Sequence, residues 1–93
     1  MNIKTVGVIG AGTMGNGIAQ VCAVAGLDVI MQDIADAPLQ QGLETIAGSL
    51  DRLIKKERIS EDDKQIALSK ITTATVLEAL ADVDVVIEAA TEN

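Results

Sequence analysis

Ten consecutive residues near the start of the chain, Val6-Gly7-Val8-Ile9-Gly10-Ala11-Gly12-Thr13-Met14-Gly15, limit its possible folds more than any other segment. A short β-branched run leads directly into Gly-x-Gly-x-x-Gly, and a small-residue helical pattern follows. That order suits a strand–turn–helix that cradles a pyrophosphate. The first glycine lets the chain turn sharply out of the strand. The second puts no side chain between backbone and phosphate. The third lets the helix lie close against the sheet. The helix N-terminus offers N–H groups and a positive dipole end. Gly10, Ala11, Gly12, Thr13, Met14 and Gly15 are therefore read as a cofactor-binding loop.

The flanking residues agree with this reading. Ile3 to Ile9 is an apolar run without helical period, the pattern of a strand. Thr13 to Ala25 has helical spacing, with Ile18, Val21, Cys22 and Ala25 on one stripe and Ala19 beside it. Gly26 stands at the helix C-terminal position. Leu27 to Met31 is a second apolar run, ending near Asp33. Asp33 lies 21 residues after Gly12 and 18 after Gly15, where an acidic side chain meets the adenosine ribose of a dinucleotide. The alternative is a glycine-rich turn with an unrelated acid at a strand end. Strand, triplet, helix, second strand and acid all fit one fingerprint and weigh against it. A carboxylate here accepts from ribose hydroxyls and repels a 2′-phosphate. No lysine or arginine occurs from Thr5 to Asp51. The expected cofactor is NAD rather than NADP.

Composition narrows the function. The 93 residues are 48% apolar, enough for a core, with no aromatic residue and no histidine. The core must be aliphatic. The chain also lacks the side chain best suited to acid–base work near neutral pH. A net charge of −7 argues against nucleic acid or an anionic membrane as partner. Cys22 reads as a small core residue, and one cysteine cannot form an internal disulfide; both fit a reducing cytoplasm. No apolar stretch approaches the roughly 20 residues of a membrane span, and the N-terminus enters the first strand without room for a targeting peptide.

The chain shows no repeat, low-complexity tract or linker. After the second strand, Asp36-Ala37-Pro38 reads as a helix start with Asp36 as N-cap. Leu39, Leu43, Ile46, Leu50, Leu53 and Ile54 form one apolar stripe over about residues 38–57. Ser60-Glu61-Asp62-Asp63 begins another helix, capped by Ser60, with Ile66, Leu68 and Ile71 as its apolar residues. Two helices in one crossover read as a helical hairpin, about residues 36–70, projecting from the sheet. Ile71 to Thr75 is a short strand, Val76 to Ala81 a helical turn, and Val83 to Glu88 a last strand. Glu88 is read as structural, and Asp82 and Asp84 as the solvated entry to that strand. The fold class is α/β, a Rossmann-type parallel sheet with a βαβ start and a helical-hairpin insertion. A full dinucleotide-binding fold needs more chain, so residues 1–93 are expected to be the N-terminal portion of one.

Four of the seven basic residues, Arg52, Lys55, Lys56 and Arg58, fall within seven positions. Ser49, Arg52 and Lys56 share one helix face, distinct from the leucine stripe. Such a face suits phosphates. It equally suits a solvated helix C-terminus, where cations meet the dipole. Spacing does not choose between the two.

Three segments resemble the 3-hydroxyacyl-CoA dehydrogenase family, above all its bacterial members acting on 3-hydroxybutyryl-CoA. They are Gly10-Ala11-Gly12-Thr13-Met14-Gly15 followed by Gly17-Ile18-Ala19, Ser49 through Lys56, and Asp84 through Asn93. The resemblance spans the chain. It implies that the glycine loop holds the pyrophosphate, Asp33 the adenosine ribose, and Ala89 and Glu92 the nicotinamide half of NAD. It implies that Ser49 and Lys56 contact coenzyme A of an acyl-CoA substrate, leaving Arg52 and Lys55 undecided. The family's catalytic serine, histidine, glutamate and asparagine find no counterpart here. No catalytic residue and no metal site is therefore assigned to this chain. The implied whole is a cytoplasmic oxidoreductase of fatty acid and butanoate metabolism, interconverting (S)-3-hydroxyacyl-CoA and 3-oxoacyl-CoA. It would dimerise through a C-terminal domain absent from these residues. The rival readings are a non-catalytic nucleotide-binding module and another β-hydroxyacid dehydrogenase without coenzyme A.

Overall fold

A computed structural model describes residues 2–89. In chain order it contains β1 (Thr5–Ile9), α1 (Thr13–Val24), β2 (Asp28–Gln32), α2 (Asp36–Lys55), α3 (Glu61–Ser69), β3 (Ile71–Ala74), a 3-10 turn (Leu77–Leu80) and β4 (Val85–Glu88). The strands form one parallel sheet in the order β3-β2-β1-β4. Val6 pairs with Val29 of β2 on one side and with Val85 of β4 on the other. This is the Rossmann-type α/β arrangement. Its strands all point their C-terminal ends to one edge, the edge that carries ligands in such sheets.

With no aromatic residue available, the core is built from Val8, Val29, Met31, Leu39, Ile46 and Leu50, all fully buried. Each contributes about 1.5–3 kcal/mol by leaving water. β1 is central, with Val6, Gly7 and Val8 buried on both faces. A Cβ on Gly7 would come within 2.8 Å of Leu80, so the 3-10 turn lies close over that strand.

The buried face of α1 is Gly15, Ala19 and Ala23, not the expected stripe of Ile18, Val21, Cys22 and Ala25. Val21 is 69% exposed, and Ile18 and Cys22 only rim the core. The close approach of α1 to the sheet leaves room only for the smallest side chains, so the branched ones turn outward. Burial pushes the Cys22 thiol up, which disfavours its thiolate. The helix ends as foreseen at Gly26, whose φ is +97°. Gly26 N–H donates to the Ala23 carbonyl and Leu27 N–H to the Cys22 carbonyl, both at 3.0 Å. This is a Schellman turn.

α2 begins one residue earlier than expected. Ala35 is the extended N-cap residue, and Asp36 is already helical with no capping bond, its charge facing the helix dipole instead. Ser60 does cap α3: its hydroxyl accepts from Asp63 N–H and the Asp63 carboxylate accepts from Ser60 N–H, both at 3.0 Å. The two helices do not stand free of the sheet. Ala67 of α3 is buried, while Ile66, expected inside, is 55% exposed. Ala67, Ile59 and α1 residues Ala23 and Val24 line a shared groove. Lys64 donates to Asp51 at 2.7 Å, pinning α3 to α2. That hydrogen bond holds the Lys64 amine above its usual range. No described helix is long and apolar enough to cross a membrane.

Candidate NAD-binding and coenzyme A-binding site

At the carboxyl edge of the sheet, β1 runs into Gly10, whose φ of +104° only glycine adopts without strain. A Cβ on Gly15 would sit 2.7 Å from the Gly10 carbonyl carbon and inside the contact distance of its oxygen. The start of α1 therefore rests directly on the turn. A Cβ on Gly12 would meet nothing within 4 Å, so this position faces open space. The first helical bond of α1 runs from Asn16 N–H to the Gly12 carbonyl at 2.8 Å. Thr13, Met14 and Gly15 thus have no helical partner for their N–H groups. Gly12 gives no side-chain cap, and no acid lies in the first turn. These donors and the dipole are left to an external anion.

Ala11 behaves differently from its neighbours. Its N–H donates to Asp33 Oδ2 at 2.8 Å, so the carboxylate already engages it in this structure. The other carboxylate oxygen, Oδ1, accepts from Ile34 N–H at 2.7 Å. Asp33 is fixed against the glycine loop, with a lone pair on each oxygen still available to a ribose diol. The backbone around it is tied on both sides. Gly10 N–H donates to the Gln32 carbonyl at 2.6 Å and Asp33 N–H to the Ala74 carbonyl at 3.1 Å. Gln32, a buried polar side chain, donates to the Thr75 carbonyl at 3.2 Å. Sequence reading missed this role; an amide among apolar strand residues was its only signal. Ala89 is buried after β4, its N–H donating to the Ile9 carbonyl at 2.8 Å. Its Cβ lies 3.7 Å from where a Gly15 Cβ would be. Glu92 lies outside the described residues.

The glycine loop, Asp33 and Ala89 therefore converge on one edge. Ser49 and Lys56 do not join them. They lie farther along α2, Ser49 half-buried and Lys56 exposed at the C-cap. Asp84 also proves more than a solvated entry. Its Oδ2 accepts from Lys4 N–H at 2.8 Å and from Thr5 N–H at 3.0 Å, locking β4 to the start of β1. These bonds, Lys4's first, hold its carboxyl below the usual range.

The geometry fits a dinucleotide whose pyrophosphate is met by backbone dipoles rather than cations. The sequence profile described as "3-hydroxyacyl-CoA dehydrogenase, NAD binding domain" matches residues 5–93. The chain belongs to the 3-hydroxyacyl-CoA dehydrogenase family. Its cofactor is NAD, and it corresponds to the NAD-binding domain of these oxidoreductases. It is 52% identical over 91 residues to a 3-hydroxybutyryl-CoA dehydrogenase of Bradyrhizobium diazoefficiens, covering 98% of this chain and 31% of that protein. It is 37% identical to the 3-hydroxyadipyl-CoA dehydrogenase of Escherichia coli, covering all of this chain and 20% of that one. Among solved structures, the (S)-3-hydroxybutyryl-CoA dehydrogenase of Ralstonia eutropha matches with a TM-score of 0.95 at 61% identity. That match covers 99% of this chain and 32% of the other. The chain thus spans about a third of the length of its 3-hydroxybutyryl-CoA dehydrogenase relatives.

Proposed function

We propose that the chain is the N-terminal, NAD-binding part of a dehydrogenase that interconverts (S)-3-hydroxyacyl-CoA and 3-oxoacyl-CoA, with 3-hydroxybutyryl-CoA as substrate. The observation that carries the binding role is the Asp33 carboxylate, fixed on the glycine loop beside an α1 N-terminus with unpaired donors. The N–H groups of Thr13, Met14 and Gly15 hold the pyrophosphate, with Gly10 and Gly12 giving it room. Asp33 takes the adenosine ribose through its remaining lone pairs, and Ala11 serves by orienting Asp33. Ala89 and Glu92 flank the nicotinamide half. Bound NAD supplies the hydride acceptor. Ser49 and Lys56 contact coenzyme A.

Proton transfer from the substrate hydroxyl requires a base that these residues do not include, since the chain has no histidine. In this reading the base belongs to a further, C-terminal domain through which the whole enzyme dimerises in the cytoplasm. Calorimetry on the 93-residue chain tests the binding role. NAD and ADP-ribose should bind with similar affinity, and acyl-CoA with NAD should give no NADH. Turnover by the isolated chain would refute the division of labour. In the complete enzyme, Lys56→Ala should raise KM for the acyl-CoA, and an unchanged KM would remove that contact.

A further inference from the structure

Gln32 is the one buried polar side chain among the described residues, 4% exposed in a core that is otherwise apolar. It stands on the last rung of the sheet, where it pairs with Ile9 of β1 on one side and Ala74 of β3 on the other. Beyond this rung all three strands leave the sheet: β1 into the glycine loop, β2 into Asp33 and β3 into Thr75. The backbone ladder ends here. Gly10 N–H donates to the Gln32 carbonyl at 2.6 Å and Asp33 N–H to the Ala74 carbonyl at 3.1 Å. The Gln32 side chain adds one bond past that point, its Nε2 donating to the Thr75 carbonyl at 3.2 Å. A side-chain amide thus extends the pairing of β2 with the end of β3 by one residue.

Burying an amide costs free energy unless it is hydrogen-bonded, and a leucine or methionine of similar volume would fill the same space. The reason for an amide lies in what its bond holds. β3 has 4 residues and stands at the edge of the described sheet, paired only with β2. The end of this short strand anchors Asp33. Among the described residues, Asp33 is tied beyond its own neighbours at two points: its carboxylate accepts from Ala11 N–H, and its N–H donates to the Ala74 carbonyl. Ile34, which follows it, is exposed and gives no packing anchor. Thr75 comes directly after Ala74, so the Gln32 bond fixes the peptide next to the one that receives Asp33. We infer that Gln32 is a positioning residue for NAD: by fastening Thr75 it keeps the Ala74 carbonyl in place for Asp33 N–H, and so aims the Asp33 carboxylate at the adenosine ribose. Gln32 acts without touching the ligand. The inference rests on the reading of Asp33 as the ribose ligand, and it adds what holds that carboxylate in position.

The test is calorimetry of NAD and NADP with the 93-residue chain and three variants. Asp33 disfavours a 2′-phosphate, so the ratio of NAD to NADP affinity reports its position. A loss of folded protein lowers both affinities alike and leaves the ratio unmoved. Gln32→Met keeps the volume and removes the donor. It should lower the ratio about 2- to 12-fold, the loss of one hydrogen bond. Added to Asp33→Ala, where no carboxylate remains to be aimed, Gln32→Met should leave the ratio unchanged. A further measurement needs no variant. Coupling between sites is reciprocal, so ADP-ribose should slow hydrogen exchange of the Gln32 side-chain amide in the isotopically labelled chain. A wild-type ratio in Gln32→Met, or amide exchange that ADP-ribose does not slow, would overturn the inference and spare the reading of Asp33. The same fall of the ratio with and without the Asp33 carboxylate would leave Gln32 a structural role only, and would also overturn the inference. A wild-type ratio in Asp33→Ala would overturn the reading of Asp33 and the inference with it.

Discussion

Two glycines of one motif should respond to the same substitution in opposite ways. In Gly15→Ala the added Cβ meets backbone, 2.7 Å from the Gly10 carbonyl carbon. No rotamer change relieves a clash with backbone, so α1 must shift off the turn. Overpacking of this kind costs about 1–3 kcal/mol, and rigid obstacles favour the upper end. In a domain of this size each kcal/mol lowers Tm by about 4–8 °C, so a fall of about 12–24 °C is expected. In Gly12→Ala the Cβ meets nothing within 4 Å, and φ is an ordinary −71°. Alanine caps a helix less well than glycine, by up to about 1 kcal/mol, but it also restricts the unfolded chain, by about 0.4–1 kcal/mol. The two effects oppose each other, and Tm should stay within a few degrees. The methyl group instead occupies the space left for the pyrophosphate, and NAD and ADP-ribose affinity should fall at least about tenfold. Thermal melts and calorimetry on both variants give the answer. Wild-type ADP-ribose affinity in Gly12→Ala would refute the placement of the pyrophosphate. A wild-type melt for Gly15→Ala would refute the close contact of helix and turn.

Other perturbations reach different parts of the molecule. Asp33→Ala removes the carboxylate that accepts from Ala11 and Ile34 and repels a 2′-phosphate; the ratio of NAD to NADP affinity should drop at least about tenfold, and tighter NADP binding by the wild type would sink the assignment. The Asp84 carboxyl is depressed when folded, so the stability it contributes is present above its unfolded pKa of about 3.9 and is lost as pH falls toward the lower folded value. Melts at a series of acid pH values should therefore show a shallower decline below pH ~4 for Asp84→Asn than for the wild type, and parallel curves would exclude the role. Glu57 holds φ of +57° in the Schellman turn that ends α2, where Arg58 N–H donates to the Leu53 carbonyl at 2.9 Å. Glu57→Gly should remove about 1–2 kcal/mol of left-handed strain, partly offset by the flexibility glycine adds to the unfolded chain. Tm should rise by a few degrees, and a fall would mean that the side chain has a partner.

The sequence was most readable where one residue type satisfies a backbone demand. Gly10 and Gly26 announced their turns, Ser60 its cap and Asp33 its place after β2, because few other residues do those jobs. It was least readable where packing distance decides. Nothing in the spacing of Ile18 and Val21 says that α1 lies too close to the sheet to bury them; that follows from the contact of Gly15 with Gly10, which is 5 residues away in sequence and set by the turn. Ile66 lost its inward position to Ala67 for a similar reason, α3 being wedged against α1. The bonds from Asp84 to Lys4 and Thr5, 80 and 79 residues apart, join strands whose pairing is itself a tertiary result. An acid before a strand has the same local pattern whether it is solvated or locks two strands together.

The length of α2 bears on why the basic residues cluster where they do. β1 has 5 residues, about 17 Å of strand, and a helix of about 11 residues spans that distance. α2 has 20 residues and runs about 30 Å. Its last fully buried side chain is Leu50, and Leu53 still packs at the rim of the core. Arg52, Lys55 and Lys56 lie exposed at the end of the helix and Arg58 just after it, and α3 brings the chain back to β3. Closing the sheet does not require that detour. Nor can these cations serve the cofactor phosphates. From Gly42, which packs against the Ala11 carbonyl, to Lys56 is about 21 Å of helix, more than two screening lengths of about 8 Å at physiological salt. A positive cluster so far from the glycine loop, in a chain of net charge −7, is electrostatically separate from the NAD site. If it binds a phosphate, that phosphate belongs to a second ligand, so charge removal at Lys56 should weaken coenzyme A binding while leaving NAD affinity unchanged.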